Sequence, residues 1–298
     1  MIPIFLLTYN EADFFVEIYN NDFINKNFIP NDICFYVLDN GKQDKIKSWC
    51  ERNNYVYYAS EYNIGSAGGY NWMFKIAHCM GLTSAIIMQA DVEVSSAWPF
   101  LYTYRLTTKL GKTHLIVWPQ ITNCLNNNKP FDNEVPNLGN LVGFNPWLLH
   151  KKNCYFDDNY VVTHFDDLEY ISYIKDKISI LNAAWVLGNT DQSFVLQNLP
   201  AVDTTVNTFV ITHLNEYVKI HHASMQIDAK FRNIENSHGP WYDFNKPYFD
   251  LVSSNHGKRL PYDPTRWKQF GYLEFPVIHE IERFFKQYPK LLINPIPE

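Results

Sequence analysis

Residues Glu61–Gly81, EYNIGSAGGYNWMFKIAHCMG, decide how the first half of the chain reads. Gly65, Gly68 and Gly69 fall within five residues, after the strand-like YVYYAS and before a helix-like run with Tyr70, Met73, Phe74 and Ala77 on one side. Glycine accepts positive φ and carries no Cβ, so a turn of this composition lets backbone come close to a ligand. The helix N-terminus after it offers free N–H groups, which suit a phosphate or a nucleotide. The spacing is neither G-x-G-x-x-G nor G-x-x-x-x-G-K-[ST], so it is not the dinucleotide fingerprint or the P-loop. A plain tight turn fits the same residues, and the surroundings have to decide.

Outward from this stretch, short apolar runs alternate with helical ones. IPIFLLTY is nearly continuous apolar, as in a strand buried on both faces, and ICFYVLDNG is similar and stops at the turn Asp39-Asn40-Gly41. YVYYAS, SAIIMQADVEV and HLIVWPQ continue the series, with helices expected over 11–27, 43–52, 67–80 and 98–110. This order predicts an α/β fold with a mostly parallel open sheet flanked by helices. Ligands of such sheets bind beyond the carboxyl ends of the strands. The residues there are Thr8-Tyr9-Asn10, Asp39-Asn40-Gly41, Asn63 to Gly69, and Gln89-Ala90-Asp91. After Thr122 comes a polar loop, then packed segments, then EYVKIHHAS, which alternates like a strand ending in His222. Residues 226–298 read as a helical extension packed on a main domain of residues 1–225.

Composition narrows the function classes. The 298 residues are 46% hydrophobic and 16% aromatic, enough for a substantial core. A net charge of -6 speaks against a nucleic-acid surface or a polybasic membrane patch, leaving at most peripheral membrane association. Five cysteines with no C-x-x-C pair fit a reducing, cytoplasmic setting rather than a disulfide framework. MIPIFLLTYNE has no basic n-region, and no apolar run reaches transmembrane length.

Three further places could carry chemistry. Asp91 ends a strand, where a carboxylate can hold a divalent ion that bridges phosphates or can simply close a turn. Asp166 and Asp167 open a helix in HFDDLEYISYIKD; with Glu169 three residues on, the pattern is that of a capping box, or one of the pair is a general base. His221 and His222 close a strand, where a metal ligand or an ordinary packed histidine fits equally.

Taken in order, the strand ends, NIGSAGG, the strand ending in Asp91, GFNPWLL, HFDDLEY and the strand ending in His resemble the inverting family 2 glycosyltransferases of the GT-A fold. The resemblance runs from about Pro3 to Ser224, and NIGSAGG and HFDDLEY are most similar to the galactofuranosyl- and rhamnosyltransferase branch. It implies a nucleotide-diphospho-sugar transferase fold with a C-terminal helical extension. It implies a UDP- or dTDP-sugar donor, a glycan or glycolipid hydroxyl as acceptor, and a divalent ion, Mn2+ or Mg2+, bound mainly with the donor. Residue by residue, Thr8 and Asn10 match the loop beside the nucleoside, Asp39 the acid that reads the base, and Asn63, Gly65, Gly68 and Gly69 the turn against the donor. Asp91 matches the last acid of the metal signature, where Gln89 stands in place of the first, and His222 matches the downstream metal-binding histidine, with His221 as the alternative. Asp167 matches the catalytic base and Asp166 its neighbour on the acceptor side. Two rivals remain: a sugar nucleotidyltransferase, which would need a glycine- and arginine-rich loop after the first strand where LLTYNEADFF has neither, and a catalytically inactive binding module, which Gln89 keeps open.

Overall fold

The structure, a computed structural model, describes residues 1–9, 12, 15, 16, 19, 33–60, 63–90, 92–94, 98–118, 138, 141–161, 166–183, 220–222 and 239–268. Its frame is a seven-stranded sheet with helices on both faces. The strands are β1 (Ile2–Thr8), β2 (Ile33–Asp39), β3 (Val56–Ala59), β4 (Ala85–Gln89), β6 (His114–Trp118), β7 (Leu141–Phe144) and β8 (Ser179–Asn182), in spatial order β3-β2-β1-β4-β7-β6-β8. β1, β2, β3 and β4 pair in parallel, and β6 pairs in parallel with β8. β7 is antiparallel to both β4 and β6, so it alone is reversed within this sheet. The fold is α/β with a mostly parallel open sheet, as the sequence predicts.

Every residue of β1 is buried, which is why its sequence lacks the polar alternation of a half-exposed strand. Its side chains still divide with a period of two. Ile2, Ile4 and Leu6 join one core, with Trp49 of α1 (Asp44–Asn53) and Phe100 and Leu106 of α3 (Trp98–Leu110). Phe5 and Leu7 join the other, with Met73 and Phe74 of α2 (Gly65–Cys79), Leu149 of α4 (Pro146–Lys151) and Tyr170 of α5 (Asp166–Ile174).

Two elements differ from the sequence reading. SAIIMQADVEV reads as one strand, but β4 ends at Gln89, Ala90 N–H makes a last bond to Leu7 O at 2.9 Å, and β5 (Val92–Val94) belongs to a separate two-stranded ribbon with β9 (Ile220–His222). The glycine-rich helix starts at Gly65 rather than Ala67. Asn63 Oδ1 accepts the Gly65 N–H at 2.9 Å, an Asx-type turn, and Gly65 takes φ 72°, so the strain of entering the helix falls on the one residue that tolerates it.

α6 (Gly239–Ser254) adds Tyr248 and Val252 to the second core, and α7 (Thr265–Lys268) adds buried Trp267. Both bond the segment 154–161 that leads toward α5. Tyr248 OH donates to Asp157 Oδ2 at 2.5 Å, Trp267 Nε1 to the Asp158 carbonyl at 2.8 Å, and Arg266 Nε to the Asn159 carbonyl at 2.8 Å. The other side of the segment is held by α2, where Asn71 Oδ1 accepts Phe156 N–H at 2.7 Å and Asn71 Nδ2 donates to Asp158 Oδ1 at 2.8 Å. The expected division at 225/226 lies outside the described residues. Among the described residues no helix is long and apolar enough to cross a membrane.

Candidate active site

The carboxyl ends of β1, β2, β3 and β4 meet the N-terminus of α2. Backbone bonds align them: Asn40 N–H to Thr8 O at 2.9 Å, Ser60 N–H to Asp39 O at 3.1 Å, and Ala90 N–H to Leu7 O. Thr8 is buried in register with Asp39. The buried Asn40 side chain reaches from this edge to the Gly65 carbonyl at 3.5 Å, tying the start of α2 to the sheet. Sequence reasoning placed Asn40 in a turn at the ligand end of the sheet but gave it no partner; a strand-end Asn-Gly does not announce a contact with a helix entered much later.

The three glycines do different work. Gly65 makes the left-handed turn. A Cβ on Gly68 would meet Ile64 Cβ at 3.2 Å, and one on Gly69 would meet Leu7 Cδ1 at 2.6 Å. The gap at Gly69 is thus filled by the core and brings α2 close onto β1. The sequence reading gave all three glycines to ligand approach; the structure gives Gly69 to helix–sheet packing.

Asp39 is fully buried, and its carboxylate is engaged by its own turn. Oδ1 accepts Gly41 N–H at 2.8 Å and Gln43 Nε2 at 3.5 Å; Oδ2 accepts Gln43 N–H at 2.6 Å and Tyr57 OH at 2.9 Å. A carboxylate so occupied has little accepting capacity left for a base. The resemblance assigns it to base reading, but in this structure its direct effect is to shape the turn 39–43.

The second half of the site is the start of α5. Asp166 is 5% exposed, and its Oδ2 accepts a hydrogen bond from Ser66 Oγ of α2 at 2.5 Å across 100 residues of sequence. Burial first, and then the neighbouring Asp167 charge, push the Asp166 carboxyl up to about 7, while the Ser66 bond works the other way. Burial raises Asp167 as well. Asp167 remains partly exposed, and its Oδ1 accepts its neighbour Leu168 N–H at 2.8 Å.

Glu169 does not reach back to close a capping box. Its two oxygens take Arg259 Nε at 2.8 Å and Nη2 at 2.7 Å. Arg259 Nη1 donates to the Tyr155 carbonyl at 2.6 Å, and its guanidinium lies 3.4 Å from the centre of the Tyr173 ring. The segment after α6 therefore clamps the helix that bears the Asp pair. Nothing local in the sequence signals this, because the partners are 90 residues apart.

Of the expected metal residues, Gln89 points its Nε2 toward Tyr70 OH at 3.5 Å. His222 lies opposite Val92 in the β5–β9 ladder, next to the position that follows Asp91 in the chain. Asp91 and Asn10 fall outside the described residues, as does the His222 side chain. Among the described residues no three His, Cys, Asp or Glu side chains group as a metal site.

No protein-family model and no curated protein matches this chain. Solved structures do. S. aureus TarS matches at 13% identity over 85% of this chain and 52% of its own, with a TM-score of 0.42. The chain thus spans about half the length of that protein. The mannosyltransferase PcManGT of Pyrobaculum calidifontis, in complex with GDP-Man and Mn2+, matches at 13% identity over 86% of both chains, with a TM-score of 0.45. TarS 1-349 in complex with UDP-GlcNAc matches at 13% over 86% of this chain and 80% of its own, also with a TM-score of 0.45.

Proposed function

We propose that this chain is an inverting glycosyltransferase of GT-A type, moving a sugar from a nucleotide-diphosphate sugar to a hydroxyl of a glycan or glycolipid. The observation that carries this reading is the Ser66–Asp166 contact. It joins the start of the glycine helix, suited to the donor phosphates, to the carboxyl pair suited to activating a hydroxyl, at the strand ends where sheets of this kind bind ligands. A bare tight turn and a bare helix cap would have no reason to meet.

In the reaction, Asp167 accepts the proton of the acceptor hydroxyl as that oxygen attacks the anomeric carbon. The bond to the nucleoside diphosphate breaks on the opposite face, and configuration inverts. Asp167 suits the role because it is the partly exposed member of the pair. Asp166 is buried and bound to Ser66, which favours a role in orienting the pair over the direct acceptor contact that the resemblance implies. Thr8, Asn10, Asn63, Gly65 and Gly68 line the donor side, and Asp39 acts through the turn it holds. Holding donor and acceptor in line supplies much of the remaining rate.

Asp91 and His222, with the amide oxygen of Gln89, would hold Mn2+ or Mg2+. The β5–β9 pairing supports this, because it brings His222 opposite the residue after Asp91. One carboxylate, one imidazole and one neutral amide make a donor set that suits such an ion shared with phosphate oxygens. When bound, the ion supplies positive charge to the leaving diphosphate. The described part of the expected extension, residues 239–268, buttresses α5 through Arg259.

The test is a screen of UDP- and dTDP-sugars for transfer or slow hydrolysis, repeated with Asp167→Asn. The variant should keep its fold and bind nucleoside diphosphate, and should lose about a hundredfold or more in transfer. Near-normal transfer by Asp167→Asn would reduce Asp167 to a helix-start residue. Turnover only with a nucleoside triphosphate and a sugar phosphate would favour the nucleotidyltransferase.

A further inference from the structure

Asp166 occupies a poor place for a carboxylate. It is 5% exposed and adjoins a second carboxyl, Asp167. One group bonds it from another element, Ser66 in the first turn of α2. The buried Tyr160 phenol, from the segment before α5, is pushed up by burial first, then by Glu169, Asp157 and Tyr248, and least by Asp166. The Tyr160 hydroxyl has no hydrogen-bond partner among the described residues. Nothing in the donor or base assignments uses Ser66. Yet it is the one hydrogen-bonding link, among the described residues, between the helix start assigned to the donor and the carboxyl pair.

We infer that Ser66 is a positioning residue: its hydroxyl fixes the direction of the Asp166 carboxyl and with it that of the adjacent Asp167, so that the donor-side and base-side helices are aligned by one bond. A hydroxyl suits this because it can donate to the ionised acid and accept from the protonated one, so the link survives a change of protonation. Two carboxylates on adjacent residues do not both ionise easily in a buried setting. Burial keeps the shared proton on Asp166, the more buried member, against the pull of the Ser66 bond, which serves to fix how that carboxyl points. Asp167, the more exposed member, is left ionised and able to accept the acceptor's proton. The catalytic part of this inference rests on the glycosyltransferase reading; the grip of Ser66 on Asp166 does not.

The test uses the full chain with Ser66→Ala and Ser66→Thr. The first readout is a carboxyl NMR titration with 13C-labelled aspartate, in which Asp166 is assigned by its loss in Asp166→Asn. The second is kcat, donor KM and the pH profile of kcat/KM for the nucleotide sugar that is turned over. Ser66→Ala removes a bond that holds the Asp166 carboxyl down, so that resonance should titrate at higher pH. It should also lower kcat by about threefold to tenfold, the worth of a neutral hydrogen bond that orients the pair. Donor KM should stay within about twofold, because the donor's own contacts are untouched. The alkaline limb of the pH profile, where Asp166 gives up its proton, should move with the NMR titration, which loss of fold alone would not produce. Ser66→Thr, which keeps the hydroxyl, should restore both readouts. An unchanged Asp166 titration in Ser66→Ala overturns the inference. So does a shifted titration with full transfer activity, or a loss of kcat that Thr does not restore. A shifted titration in a protein that turns over no nucleotide sugar would sink the glycosyltransferase reading and leave the Ser66–Asp166 grip standing.

Discussion

Arg259→Ala should be among the most damaging single changes outside the sheet. Arg259 and Glu169 have side chains 16% and 4% exposed, and the pair makes two short bonds. Removing the guanidinium leaves the Glu169 carboxylate buried without its counter-charge and frees the Tyr155 carbonyl. Breaking a buried pair in this way costs about 3–5 kcal/mol. At roughly 2–4 °C per kcal/mol for a domain of this general size, the melting temperature should fall by about 6–20 °C. The loss should depend on pH, and its sign follows from Glu169. Burial already raises that carboxyl, and Arg259 is what draws it back down. Without Arg259 the folded-state value rises further above the unfolded one. An acid raised in this way favours the fold while it is protonated, and that contribution disappears as pH rises through the folded-state value. Arg259→Ala should therefore lose most near neutral pH and less as pH falls toward 4. Glu169→Gln in the same background should recover part of the loss at neutral pH. Urea denaturation at both pH values, for wild type, both single variants and the double, reads these terms as a cycle. A loss below about 1 kcal/mol, or one equal at both pH values, would refute the argument, since that is how an exposed and screened pair behaves.

The glycines separate by kind of effect. Gly69→Ala puts a Cβ 2.6 Å from Leu7 Cδ1, so denaturation should show a cost of about 1–3 kcal/mol from overpacking, partly offset by alanine's better helix propensity, while affinity for nucleoside diphosphate in the folded fraction stays unchanged. Gly65→Ala meets φ 72° instead, and should both strain the turn by about 1–2 kcal/mol and weaken nucleotide binding in the same calorimetric assay. For the metal, calorimetry should show little Mn2+ or Mg2+ binding to the protein alone and clear binding with nucleoside diphosphate, because Gln89 adds no negative charge. Asp91→Ala should abolish that ternary binding and His222→Ala should weaken it and shift preference away from Mn2+, whereas full transfer activity in a chelator would refute a metal role.

What the sequence disclosed of the fold was local. β1 was legible because a continuous apolar run ending in a turn residue is what a strand buried on both faces requires, and β2, half-buried at Cys34 and Tyr36, because its apolar run also stops at a turn; both are paired along their length. The break between β4 and β5 was not legible. The run through Ala90 to Val94 is strand-like throughout, and what divides it is the choice of partner: β1 up to Gln89, β9 from Val92. The reversed β7 was hidden for the same reason. The start of α2 was misplaced by two residues because glycine argues against helix in isolation, whereas the Asn63 turn and the contact with Leu7 outweigh that preference here.

The site shows the same division with a more telling consequence. Strand ends and the Asp pair announced themselves, since turn residues and paired carboxylates are visible within a few positions of one another. Each also had a plain local reading, and Asp166 with Glu169 had a good one as a capping box. The capping-box reading fails at Glu169, which turns to Arg259, while Asp166 takes on Ser66 besides the backbone of its own helix start. Both partners lie about a hundred residues away, where neither periodicity nor spacing reaches. A helix cap needs only its own backbone. A carboxylate buried against a serine of another helix, with a second carboxylate kept partly open beside it, carries an electrostatic cost that folding alone gives no reason to bear. Strained ionisation of this kind concentrates where a proton has to be moved. The buried half of the pair, rather than the motif that first drew notice, is therefore the stronger argument that this edge of the sheet does chemistry.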